Sequence, residues 1–249
     1  MIRLAILFVL CVVSWCCSFG CSAPQRADEQ GVVLFIPGVS GDGAWYNDLK
    51  QGLRDGGMTL PIESVSWGMP PPLFAFNFSN PGVHDEAERK LATRIAAIRK
   101  QFPGTPLHIL THSAGGGVAL GAMKRLPADI SIDRAVLLHP SVSPEYGLGP
   151  ALAHVGFQCT AFCSDRDTTF LKWRTSTFGT YDGIKTPAAG HLGFVVDGLS
   201  FSEAEKFRQI AYDPSFERLG NTGGHFGPTA RRFAAEVIAP LLESRASKP

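Results

Sequence analysis

The apolar positions of the chain fall into two alternating kinds of segment. "GVVLFIPG", residues 31 to 38, is a continuous β-rich run closed by Pro-Gly, as in a strand buried on both faces of a parallel sheet. "DGAWYNDLKQGLRDGG" then supplies a helix ending at Gly56 and Gly57, and "LPIESVSW" alternates as a second strand. Residues 68 to 82, polar and proline-rich, read as a loop. From Val83 to Phe102 the residues Val83, Ala87, Leu91, Ile95, Ile98 and Phe102 recur at spacings of four and three, the period of an amphipathic helix. Asp85, Glu86 and Glu88 near its start and Arg99 and Lys100 near its end suit the helix dipole.

The alternation continues. "PLHILTHS" is a third strand ending at Ser113, "AGGGVALGAMKRL" a helix and "DRAVLLHP" a fourth strand. "HVGFQCTAFCS" gives the fifth, "EKFRQIAYDP" holds the sixth, and a last helix runs through "PTARRFAAEVIAPLLES". Strands alternating with helices pair in parallel through right-handed crossovers, which covers the sheet on both faces. The pattern predicts an α/β fold, a three-layer α/β/α sandwich with a mostly parallel six-stranded sheet. Ligands of such sheets bind beyond the carboxyl ends of the strands.

The first twenty residues break this pattern. "MIRLAILFVLCVVSWCC" has Arg3, an apolar run from Leu4 to Val13 and then small residues, the layout of a secretory signal. Cleavage after Gly20 would leave Cys21 first, which resembles a bacterial lipoprotein signal with Cys21 lipidated as a membrane tether; plain secretion and an uncleaved anchor are the alternatives. The expected organisation is therefore a signal over 1–20, a linker over 21–30 and a single domain over 31–249, in the cell envelope or secreted.

With 45% hydrophobic and 18% charged residues, the 249-residue chain has the composition of an ordered globular protein. Loss of residues 1–20 removes Arg3 and no acid, leaving 22 basic and 22 acidic residues, so nothing marks a nucleic-acid partner. Cys159 and Cys163, the two cysteines beyond Cys21, would stand about 13 Å apart on a strand, beyond the roughly 7 Å limit for a disulfide, and read as packing residues. No metal-ligand spacing surrounds them.

Candidate chemistry begins at Ser113, which follows a strand and precedes a helix. That is the setting of the nucleophile turn Gly-x-Ser-x-Gly, here "THSAG", with Gly115 in place and Thr111 in the first glycine's position. The competing reading is a helix-capping serine. A serine nucleophile needs a base and a carboxylate to orient it. His225, in the glycine-flanked "GNTGGHFGP", follows the last strand; His191, in "PAAGHLGF", precedes it and is the rival. His112, beside Ser113 in sequence, would point away from its hydroxyl. "FCSDRDTTF" offers Asp167, with Asp165 as the alternative, while Asp182 and Asp213 have ordinary turn explanations. Donors for a developing oxyanion would be the N–H of Ala114 and that of Val39, or Ser40 if the turn is displaced.

With "FIPGVSGDGAW", "THSAG", "CSDRD" and "GGHFG" in this order, the chain resembles the α/β-hydrolase superfamily over roughly residues 31 to 242. The resemblance implies a Ser113–His225–Asp167 triad, an acyl-serine intermediate and no cofactor, with a small-molecule or lipid ester as substrate. Two strands that often open this fold are missing, which implies a six-stranded core. "SVSPEYGLGPALA" is too short for a lid, which leaves the aromatics of 69–78 and 179–201 to line an acyl pocket. An amidase or thioesterase of the same fold, and a catalytically silent envelope binding protein, are the competing functions.

Overall fold

The computed structural model describes residues 28–70, 73–78 and 80–243; the expected signal and Cys21 lie outside them. Six strands form one sheet: β1 (Val32–Ile36), β2 (Ile62–Ser64), β3 (Leu107–His112), β4 (Ile132–Leu138), β5 (Val155–Cys163) and β6 (Phe207–Ala211). Their order is β2-β1-β3-β4-β5-β6, and every pairing is parallel. The change of direction at β1 opens a crevice beyond the carboxyl ends of β1 and β3, where a doubly wound sheet takes its ligand.

Side chains of β1 alternate between two cores. Val32, Leu34 and Ile36 pack with helices α2 (Pro81–Gln101) and α3 (Gly115–Met123) through Leu91, Ile95 and Val118. Val33 and Phe35 face the other side, with Leu49 and Leu53 of α1 (Asn47–Asp55) and Phe233 and Ile238 of a C-terminal helical segment over 231–243. All five residues of β1 are buried, which is why its sequence shows no polar alternation. Cys159 and Cys163 are buried free thiols.

The differences from the expected elements lie at boundaries and in the segments between strands. Helix α2 begins at Pro81, two residues before its first apolar position, because Asn80 caps it, its side chain accepting from the N–H groups of Gly82 and Val83. Residues Leu73–Phe78 of the expected loop form a short 3-10 helix. The C-terminal helix contains a π turn at Ala234–Ile238. Between β5 and β6 the chain makes a long excursion, residues 164–206, through the π turn Thr169–Arg174 and several one-turn helices. Among the described residues, no helix is long and apolar enough to cross a membrane.

Candidate active site

Ser113 sits immediately after β3 with φ +56°, in the left-handed region that a non-glycine residue seldom adopts. Its N–H donates to the Leu138 carbonyl (2.9 Å) and its carbonyl accepts from the N–H groups of Gly116 (3.0 Å) and Ser141 (3.1 Å). The turn is therefore tied to the end of β4 on one side and to α3 on the other. Small residues make it fit. A Cβ on Gly115 would lie 2.2 Å from the Ile36 carbonyl oxygen, and one on Gly117 would lie 2.3 Å from the Tyr181 ring. Thr111, in the first glycine's position, is fully buried, and among the described residues its hydroxyl finds no hydrogen-bond partner.

His225 and Asp167 reach the same end of the sheet. Asp167 follows β5, is 2% exposed, and one of its carboxylate oxygens lies 2.6 Å from His225 Nδ1. Asp165, two residues earlier, is exposed. Burial raises the Asp167 carboxyl, but the imidazoles of His139 and His225 outweigh it and hold the group well below the usual carboxylate range. Because an ionised carboxylate only accepts, Nδ1 of His225 carries a proton, and in the neutral ring Nε2 is then the nitrogen with the lone pair. Phe170 stacks on the His225 ring at 4.5 Å, shielding it from water. Ser113 and His225 line one cleft of about 370 Å³, with Trp45, Phe78 and Phe226 among its walls. Among the described residues the Ser113 hydroxyl has no hydrogen-bond partner, so it is free to meet a ligand there.

The other candidates are placed elsewhere. His191 Nδ1 lies 3.1 Å from the Ser164 carbonyl. Asp182 accepts from the N–H and hydroxyl of Ser143, and Asp213 caps the 3-10 helix Pro214–Leu219.

The turn after β1 is fixed at three successive residues. Trp67 Nε1 donates to the Pro37 carbonyl (2.8 Å), the Gly38 N–H to the Tyr46 hydroxyl (3.0 Å), and the Asn77 amide to the Val39 carbonyl (3.0 Å). Asn77 is fully buried. Among the described residues the N–H groups of Val39 and Ala114 have no acceptor. Both residues line a narrow recess of about 20 Å³ that also contains Ser113.

Tyr46, Asn77, His112 and His139 carry roles that the sequence alone did not reveal. His112 is buried, with Nδ1 2.8 Å from the Tyr46 hydroxyl and Nε2 2.9 Å from the His225 carbonyl. The donors are set by exclusion. Gly38 N–H can only donate and the His225 carbonyl can only accept, so Tyr46 donates to Nδ1 and His112 Nε2–H donates to His225. Burial pushes the His112 pKa well below its ordinary value, in keeping with a neutral ring. His139, at the end of β4 in the sequence "LLHP", adopts φ +47° and places Nδ1 3.3 Å from Asp167. The only hint in the sequence was a histidine before proline at a strand's carboxyl end.

His139, Asp167 and His225 bring their ligand atoms within 4.8 Å of one another, close enough among the described residues to hold a metal ion. To ligate there, His225 would have to give up the proton that bonds it to Asp167.

No protein-family model matches the sequence, and no curated protein matches it. Solved structures do resemble it in fold. Lipase B of Aspergillus fumigatus superposes with a TM-score of 0.56 at 14% identity over 89% of this chain and 54% of the lipase, so the chain spans about half that protein's length. A lipase-esterase related protein of Clostridium acetobutylicum superposes with a TM-score of 0.50 at 12% identity, covering 86% of this chain and 95% of the other. The six-stranded parallel sheet, its helical layers and these superpositions make this an α/β-hydrolase fold.

Proposed function

We propose that the protein is a serine hydrolase of carboxylic esters, with Ser113 as nucleophile, His225 as general base and acid, and Asp167 as the group that orients His225. The observation that carries this reading is Ser113 on its left-handed turn, sharing a cleft with an imidazole whose Nδ1 is held 2.6 Å from a buried carboxylate. Ser113 Oγ attacks the ester carbonyl carbon while His225 Nε2 takes its proton. The carbonyl oxygen becomes an oxyanion facing the N–H groups of Val39 and Ala114, which are already oriented and lose no other bond on engaging it. Collapse breaks the bond to the alcohol oxygen, which leaves with the proton from Nε2. Water then attacks the acyl-serine by the same route, giving the carboxylic acid and free Ser113. In the same reading, the leader carries the enzyme out of the cytoplasm, with Cys21 as its tether.

Hydrolysis of p-nitrophenyl butyrate tests the proposal. Ser113→Ala is expected to lower kcat at least about a thousandfold with an unchanged thermal midpoint, and a fluorophosphonate probe is expected to label the parent protein at Ser113 alone. Esterase activity surviving in Ser113→Ala, or no labelling of the parent, would end the reading.

A further inference from the structure

Among the arginines, several are matched to carboxylates: Arg94 to Glu63, Arg99 to Asp133, Arg125 to Asp85 and Glu88, Arg166 to Glu217 and Arg231 to Asp55. Arg174 is different. It lines both the 370 Å³ cleft and the recess that holds Val39 and Ala114, each time together with Ser113. No aspartate or glutamate lines either space, and among the described residues Arg174 has neither an ion pair nor a hydrogen-bond acceptor. Its guanidinium carbon stands 3.1 Å from the centre of the Phe78 ring. Burial, with no charged neighbour to offset it, pulls Arg174 down to about 10, so the group remains charged at neutral pH.

A cation half-removed from water without a counter-ion is costly, and stacking on an aromatic face recovers only part of that cost. A guanidinium held over a ring keeps its in-plane N–H donors for an acceptor, and two parallel donors match a carboxylate or phosphate. The turn that carries it is tied down beside it. The Thr175 hydroxyl donates to the Leu171 carbonyl (2.7 Å), which also accepts from the Ala188 N–H (2.7 Å).

We propose that Arg174 is a specificity residue that selects esters bearing an anionic group, a carboxylate or a phosphate, close to the scissile carbonyl. This rests on the ester-hydrolase reading above and adds the class of ester. An anion entering the cleft would exchange water for bidentate donors beside apolar walls, where the interaction is little screened.

Two matched pairs locate the anion. On the acyl side, p-nitrophenyl hydrogen glutarate is compared with p-nitrophenyl valerate; on the alcohol side, butyryl glycerol phosphate is compared with monobutyrin. The parent protein is expected to favour the charged member of one pair by about tenfold or more in kcat/KM at low salt. Arg174→Met is expected to bring that ratio to within about twofold of unity, and Arg174→Lys to fall between, since a point charge replaces the fork. Calorimetric titration with glutarate monomethyl ester gives a readout free of turnover. Its Kd in Ser113→Ala is expected to be at least about tenfold tighter than in the Ser113→Ala, Arg174→Met double variant. Hydrolysis of the neutral esters without any charged preference, or a preference untouched in both Arg174 variants, overturns the inference and leaves the esterase reading standing. If no ester is hydrolysed, the esterase reading falls and the titration still decides: equal affinity in the two proteins overturns the anion site.

Discussion

Tyr46 and His112 join the two halves of the site through hydrogen bonds that can run in one direction only, from the Gly38 N–H to the Tyr46 hydroxyl, on to His112 Nδ1, and from Nε2–H to the His225 carbonyl. The turn that presents Val39 and the loop that presents His225 are thereby held in one register. Tyr46→Phe removes the middle link, leaving a buried ring nitrogen and a buried N–H unmatched, each costing about 1–3 kcal/mol. In the proposed mechanism both donors and base are then displaced together. The expected result is a fall in kcat well beyond any rise in KM, measured on p-nitrophenyl butyrate, with a lower thermal midpoint. His112 could be set aside as a base from the sequence because a sharp turn throws neighbouring side chains apart. What it does instead was hidden, since its partners lie 66 and 113 positions away along the chain. Asp167 and Asp165 stand two residues apart, and in the fold burial and the bond to His225 Nδ1 separate them.

The turn between β3 and α3 depends on the close approach of one element to another. Gly115→Ala places a methyl group against the Ile36 and Pro37 carbonyl oxygens, backbone atoms that cannot rotate away. A destabilisation of about 2 kcal/mol or more is expected in urea unfolding, larger than for a surface glycine such as Gly104, whose added Cβ meets nothing. Elements of this kind were legible because each obeys a strong local rule. A strand buried on both faces is a short apolar run, α2 keeps its period over 21 residues, and the Ser113 turn needs small neighbours. Residues 164–206 obey none of these. Their helices last a turn or two, and much of their conformation is tied to residues 140–144 after β4, as in the bonds of Tyr181 to Ser141, Ala189 to Val142 and Val195 to Pro144, partners that lie outside a local sequence window. The pocket aromatics expected from 69–78 and from the segment beginning at "FGTYDG" include Phe78, Phe178 and Tyr181, which do line the site, while no local rule points to Phe170 or Arg174.

Across the whole molecule, His84, His108, His112 and His139 are buried, and burial lowers each of them, His108 to about 4. The unfolded chain protonates these rings near pH 6.5, whereas the folded chain resists until lower pH. Their contribution to stability is therefore complete above roughly pH 7 and is lost as pH falls from about 6.5 towards the folded values, by up to about 1.4 kcal/mol per pH unit for each ring. Asp167, lowered in the fold, adds a loss of the same sign below about pH 4. Urea midpoints measured between about pH 8 and pH 5 should be flat at first and then decline steeply; a flat profile throughout would contradict the burial of these rings. The excursion between β5 and β6 has a different consequence. The stretch 170–178 supplies Phe170, Leu171, Arg174, Thr175 and Phe178 to the walls around Ser113, while the proposed nucleophile, base and N–H donors stand on other turns. Under the proposed function, preference and reactivity are thus written in separate parts of the gene: drift within one short stretch would retune what the cleft accepts while the sheet that carries the proposed chemistry is inherited intact.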